Sequence, residues 1–336
     1  MVIEVIQSEG EFRDLKNDWN TLLEKSVSHV PFLRHEYLSS WWATLGGGEW
    51  TEGNLAIITS RDKNNNLQGI APFFLVNQRL LFLGSYETSD YLDLIAATNN
   101  LPTFINNLVQ FLDSADCPAW ETLDLYNLLA DSATIPLLQN VSENLGWEIK
   151  KEVLQPAPSL HLPESWESYL TNLDDRYRQE IQRKIRKAET YFLPVDWYIV
   201  EDENQIDLEL DSFLELMADN PDKASFLTEK MRSQMKLSAL EAFRGGWLQL
   251  AFLTVGEIKA AGYLNFDFDQ KIWVYNSGIN TLFENISPGW VPLSKIIQGS
   301  IKAGKSELDF MRGAETYKYH FGAVDKYVVR IQVSRN

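Results

Sequence analysis

Ser287, Pro288 and Gly289 stand in an order that suits the capture of an anion. Serine is a favoured N-cap, and a proline after it has no N–H to leave unpaired at the first helical position. Gly289 adds no side chain, which lets a charged group approach the unsatisfied N–H groups of a first helical turn. The helix dipole pulls the same way, so the chemistry expected here is the binding of something phosphorylated. The same three residues also describe a capped crossover helix that holds no ligand.

A second concentration of chemistry lies upstream in RYRQEIQRKIRK, where Arg176, Arg178, Arg183, Lys184, Arg186 and Lys187 stand against a single Glu180. In a strongly acidic chain this is the one concentrated cationic stretch, suited to a phosphorylated ligand or an anionic acceptor, or simply a solvated helix face. A third group, Ser89, Asp90, Tyr91 and Asp93, falls where a strand breaks; such residues either cap a turn or line a cleft. One apparent motif is set aside. Gly299 followed by Gly304-Lys305-Ser306 has the spacing of a phosphate loop, but a true phosphate loop follows a strand and opens a helix, whereas this one closes a helix and opens a strand.

What must position these residues is a run of strands and helices. Trp273, Tyr275 and Ser277 alternate with Ile272, Val274 and Asn276, which gives a strand with two differently furnished faces. After the Ser-Pro-Gly opener, Leu293, Ile296, Ile297 and Ile301 recur at helical spacing, and Gly304 ends that helix. The strand ELDFMRG then returns beside the first, followed by AETYKYHFG. Upstream, residues 2–6 alternate as a strand, and Ser8 with Glu11 forms a capping box for a helix over 11–24. Phe32, Tyr37, Trp41 and Trp42 cluster as an aromatic helix packed in the core or as a substrate platform, and a hairpin turns at KNNN. QPAPSLHLP, with its three prolines, is the expected domain boundary. One helical stretch is expected over 165–189, and from Val195 the pattern of the first half repeats, with KYVVRIQV closing the second sheet. The expectation is a mixed α/β fold in two tandem copies, 1–158 and 159–336.

Composition narrows the function. The 336 residues, 45% hydrophobic and 23% charged, suit a soluble globular protein of two domains. A net charge of −17 argues against a general DNA-binding or anionic-membrane surface, so contact with a polyanion must be local. The one cysteine, Cys117, excludes an intrachain disulfide, and the four histidines do not fall at metal-ligand spacing, so no metal is expected. No secretory signal and no apolar run of membrane-spanning length is read, which leads to a cytoplasmic expectation.

At YNSG, SPG, LDFMRG and YKYHFG, in that order and spacing, the chain resembles the GNAT acetyltransferase superfamily. More narrowly it is similar to the CelD-like or BioF2-like branch, akin to Fem-type peptidyltransferases; PFLRHEYLSSWW and SDYLD share in the resemblance, which covers most of the chain. The resemblance implies two tandem GNAT-like domains with the better-preserved site in the second. It implies acetyl-CoA or another acyl-CoA as donor, its diphosphate on the amides of Ser287, Gly289 and Trp290, and its acyl arm between splayed strands at 272–277 and 308–311, with Ser277 and Arg312 as further donor contacts. The usual glycine-rich diphosphate loop is reduced here to SPG. An amine attacking a thioester needs a base and donors to the oxyanion. The resemblance assigns Asp309 as base or ammonium holder, Tyr275 and Tyr317 as donors, and Lys318 as a lysine directed at substrate. Asp309 could instead pair with Arg312, the tyrosines could serve packing, and Lys318 could be a surface lysine. Arg183 and Arg186 are expected to face the cleft, with Asp90 and Tyr91 as further substrate contacts.

Three functions follow as expectations. The first is N-acyl transfer from acyl-CoA to a small-molecule amine, an amino sugar or polysaccharide precursor. The second is Fem-type transfer from charged tRNA, which the net charge disfavours. The third is an inactive GNAT-fold scaffold in polysaccharide assembly.

Overall fold

The computed structural model describes residues 2–335. Two compact units emerge: the first ends at Pro156 but takes back the chain from Lys326 onward, and the second is Ala157–Asp325.

In the first unit, Val2–Ile6, Ile57–Arg61, Leu67–Ala71 and Ile95–Ala96 form a four-stranded antiparallel sheet. Helix Leu101–Asp113 buries Leu101, Phe104, Ile105, Leu108, Val109 and Leu112, one apolar stripe, and packs on this sheet. Gly69 permits that contact, since a Cβ there would sit 2.3 Å from the Phe104 ring. The Ser8–Glu11 capping box forms as the sequence predicts, with the Glu11 amide donating to Ser8 Oγ at 3.3 Å. The expected 11–24 helix is two, Glu9–Asp14 and Lys16–Leu23.

A further group of strands in this unit includes Thr122–Leu129, and against it lies the last strand of the chain, Val324–Ser334, antiparallel from Val328↔Leu129 to Ser334↔Thr122. Val328, Val329, Ile331 and Val333 are buried. Asp124, fully buried, accepts two hydrogen bonds from Arg330, at 2.7 and 2.9 Å, and another from Arg79. KYVVRIQV therefore completes the first unit and not the second. An apolar strand announces its own conformation, but its partner is chosen by a register and an ion pair far away in sequence.

The second unit is a meander, Val195–Ile199, Leu248–Val255, Ile258–Phe268 and Lys271–Ile279, each strand antiparallel to the next. Glu307–Asp309 joins parallel to Lys271–Ile279, and Ser159, Leu160 and His161 pair antiparallel on its far side. Those three end the strand Glu148–His161, so the proline-rich stretch is extended strand and not a free linker. Proline lacks a donor but keeps its acceptor, and the carbonyl of Pro158 takes the Phe310 amide at 2.9 Å. The expected 165–189 helix breaks in two, Trp166–Asn172 and Asp175–Glu189, because the Asp174 side chain caps the second at 2.9 Å to the Arg176 amide. Leu293, Ile296, Ile297 and Ile301 of helix Trp290–Lys302 join Ile181, Ile272, Leu308 and Phe321 in one core. No helix among the described residues is long and apolar enough to cross a membrane.

Candidate functional site

The parallel pairing of Lys271–Ile279 with Glu307–Asp309 lasts three residues, Lys271↔Glu307, Ile272↔Leu308 and Trp273↔Asp309. Beyond it the two chains part. One side of the gap is the strand through Tyr275, Asn276 and Ser277. The other is the turn through Met311 and Arg312, where Met311 takes a left-handed φ of 61° and its amide donates to Asp309 Oδ1 at 2.8 Å.

Lys318 explains why the second side turns away. It is 2% exposed, and its ammonium donates to the carbonyls of Met311 (3.2 Å), Arg312 (2.8 Å) and Gly313 (3.0 Å) and pairs with Glu315 at 2.8 Å. A buried ammonium is stable only when its three N–H groups are satisfied, and here they gather the 311–313 carbonyls into a tight loop. Lys318 is neither directed at a substrate nor a surface lysine: it is the post around which this loop folds.

The first side is held by a residue that sequence reasoning passed over. Lys223, from helix Pro221–Phe226, donates to Asn276 Oδ1 at 2.9 Å and to the Ser277 carbonyl at 2.6 Å. Burial pulls its ammonium below the usual lysine range, while the charge of Glu315 acts the other way. A cleft of ≈ 190 Å³ opens beside it, with Asn220, Ser277, Gly278 and Thr281 in its wall. Gly278 is required because a Cβ would lie 2.5 Å from the Met217 amide nitrogen, where helix Ile206–Ala218 crosses the strand. The only local signal for Lys223 is the Asn-Pro helix opener before it, which names a helix but not what its lysine reaches.

The expected diphosphate cradle is altered. Ser287 is not an N-cap: it sits at φ 57° after the turn Thr281–Ile286, and the helix begins at Trp290 with Gly289 as its cap. The Ser287 carbonyl accepts the amides of Trp290 (2.9 Å) and Val291 (3.3 Å), and the Ser287 amide donates to Glu284 at 3.0 Å. Pro292 has no N–H. Of the three amides expected to bind an anion, only that of Gly289 has no hydrogen-bond partner among the described residues. Gly289 is also not open space, since a Cβ would come within 3.0 Å of Ile279, and its carbonyl accepts from Tyr263 at 2.7 Å.

Charge reaches this helix start by another route. The Lys184 ammonium lies 3.6 Å from the centre of the Trp290 ring and pairs with Glu180 at 3.4 Å. Phe321 and His320 stand against the same indole at 5.0 and 5.6 Å. Helix Asp175–Glu189 packs on Trp290–Lys302 with Lys184, Ile181 and Ile185 on its inner side. Arg183 and Arg186 are exposed on the outer stripe. They therefore do not face the gap, because helical periodicity sends residues at i−1 and i+2 of an inward lysine outward.

Both tyrosines pack on aromatic neighbours, Tyr317 at 6.3 Å from the Phe310 ring. Tyr275 is half-buried, 5.2 Å from the Phe266 ring. Burial, and then the charge of Glu315, push the Tyr317 hydroxyl well above its ordinary value, so it stays a proton donor at neutral pH. Asp309 is buried at the last paired position. Ser277 and Arg312 are both half-buried. Asp90 and Tyr91 are elsewhere, buried in the first unit, and Tyr91 has a left-handed φ of 57°. Their neighbour Asp93 gathers Ser28, Ser132, Thr134 and the Leu94 amide, which marks a buried turn and not an open cleft. Among the described residues no cluster of His, Cys, Asp or Glu could hold a metal.

Residues 175–319 match the sequence model of a family described as acetyltransferase (GNAT) domain. Among curated proteins no sequence matches significantly. The crystal structure of FemX is similar over 98% of this chain and 97% of its own, at TM-score 0.68 and 10% identity. A conserved protein of unknown function from Bacteroides thetaiotaomicron is similar over 99% of this chain and 100% of its own, at TM-score 0.61 and 12% identity. The C-terminal domain of a putative lysylphosphatidylglycerol synthetase from Agrobacterium fabrum reaches TM-score 0.58 at 8% identity, over 97% of this chain and 92% of its own. At such identities the likeness concerns the fold. The GNAT match therefore falls within the second unit of a mixed α/β chain. The fold it shares with FemX runs along the whole chain.

Proposed function

We propose that the second unit is an N-acyltransferase of the CelD-like or BioF2-like kind, moving an acyl group from acetyl-CoA or another acyl-CoA to an amine such as an amino sugar or polysaccharide precursor. The observation that carries this reading is the parting of the 271–279 and 307–309 strands after three paired residues, beside two tyrosines and a buried aspartate. The amine nitrogen attacks the thioester carbonyl, a C–N bond forms and the C–S bond breaks. Asp309 accepts the ammonium proton or holds the ammonium, Tyr275 donates to the oxyanion, and Tyr317 protonates the departing thiolate. Ser277 and Arg312 line the donor's path, and Lys223 fixes the carbonyl side of the strand.

Because Trp290 and Val291 give their amides to Ser287, the donor's diphosphate rests on the Gly289 amide and on Lys184 more than on a row of amides. That arrangement makes donor binding salt-sensitive. A second reading is favoured by the likeness to FemX along the whole chain: Fem-type aminoacyl transfer from a charged tRNA, in which the amine attacks an ester instead of a thioester. The third is a scaffold without turnover.

Thermal unfolding with acetyl-CoA separates them. Saturable stabilisation, about 2.7 kcal/mol at a hundred times Kd, is expected for a donor site. Gly289→Trp abolishes it and Lys184→Gln weakens it at low salt. No shift with acyl-CoA but a shift with charged tRNA selects the Fem-type reading, and no shift with either leaves the scaffold.

A further inference from the structure

The outer stripe of helix Asp175–Glu189 takes no part in the gap. Arg176, Arg183 and Lys187 recur at i, i+7 and i+11, with Arg186 beside them, so the four form one face opposite Ile181, Lys184 and Ile185. All four are exposed, and among the described residues none is held in an ion pair. Exposed apolar residues follow the helix. Phe192 is 80% exposed and Leu193 41%, two and three positions past the helix cap at Thr190, and Leu282 is 83% exposed. These come from two segments that the fold ties together: Asn285 donates to the Tyr191 hydroxyl at 3.2 Å, and Tyr191 and Phe283 both pack on Ala188, Ile286 and Val291.

We infer that this face docks on an anionic lipid bilayer, its four cations over the headgroups and Phe192, Leu193 and Leu282 set into the acyl boundary. Cations alone describe any polyanion surface. Leucine tips added at the end of a cationic stripe suit a layer that is charged outside and oily within, as interfacial helices do. A nucleic acid would reward the arginines and one ring, but two leucines gain nothing from a phosphate backbone or from stacking. The excess of acidic residues over the rest of the chain does not prevent docking, since at physiological salt charges beyond about 8 Å are largely screened. Glu180 falls within the stripe, four positions after Arg176 and three before Arg183, but it is half-buried and paired with Lys184 at 3.4 Å, so the four cations remain in excess. This inference stands on the surface alone and does not require the acyl-transfer reading.

Co-sedimentation of the full chain with vesicles of phosphatidylcholine containing one third phosphatidylglycerol tests it. Binding is expected to these vesicles and not to pure phosphatidylcholine, falling as salt rises. Arg183→Glu with Lys187→Glu lowers the partition coefficient at least about 20-fold. Phe192→Ser with Leu282→Ser lowers it about 10-fold without changing the salt dependence. All four positions are exposed, so unchanged melting is expected, and Arg183→Gln with Lys187→Gln replaces the reversed pair if that pair unfolds. No binding to the anionic vesicles overturns the inference, as does undiminished binding by the Ser variant. Retardation of a structured RNA by the native chain but not by the charge-reversed one, without vesicle binding, overturns it in favour of a nucleic-acid surface.

Discussion

Lys318 shows how a single buried charge can set the shape of a site without touching its chemistry. Its ammonium is satisfied by three carbonyls and Glu315, and the loop that carries Arg312 is folded by those contacts. Lys318→Met leaves three inward carbonyls without a donor and Glu315 without its partner, and should cost about 3 kcal/mol, measured by chemical denaturation. Donor-induced stabilisation should vanish as well, because the gap loses one wall. Lys318→Met that unfolds like the native chain would return the residue to the surface role that the sequence also allowed. From the sequence, the lysine in YKYHFG could be noticed but its direction could not. Lys223 was invisible for the complementary reason, since its partners Asn276 and Ser277 lie more than fifty positions away and nothing local marks the contact.

At the scale of elements, local signals served well. The Ser8–Glu11 cap, the helical spacing of Leu293, Ile296, Ile297 and Ile301 and the strand Lys271–Ile279 all appear where the sequence puts them. Ends were less legible, because competing caps decide them: Asp174 starts a new helix inside one periodic run, and Ser287, expected to cap a helix with its side chain, instead turns left-handed two positions before the Gly289 cap, its carbonyl taking the Trp290 and Val291 amides. Gly278 is the element-scale device that brings helix Ile206–Ala218 down onto the strand at the gap. Gly278→Ala should push that helix away at a cost of about 1–3 kcal/mol and enlarge the cleft beside Lys223, read as a lower melting temperature and faster amide exchange over 206–218. Unchanged exchange there would mean that the strand, not the helix, yields.

At the scale of the whole molecule, the chain end belongs to the first unit. Val328, Val329, Ile331 and Val333 are buried there, each contributing about 1.5–3 kcal/mol, and together they rival the entire stability of a typical domain. Removing Arg330 also leaves Asp124, which has no exposure, with Arg79 alone. A 1–158 fragment should therefore fail to fold cooperatively, and truncation before residue 324 should unfold the first unit within the full chain, checked by circular dichroism and limited proteolysis. A fragment 1–158 that melts cooperatively would show the terminal strand to be dispensable.

The sequence by itself determined most of the parts: a mixed α/β chain in which the strand through Tyr275, a helix and the LDFMRG strand follow one another. These rest on periodicity, caps and motif order, which are local in the chain. Tertiary structure alone decided which donors are already taken, which face of the basic helix looks inward, and to which sheet the last strand is added. Each of those depends on a partner distant in sequence, and hydrogen-bond donors and strand edges are committed only when such partners arrive.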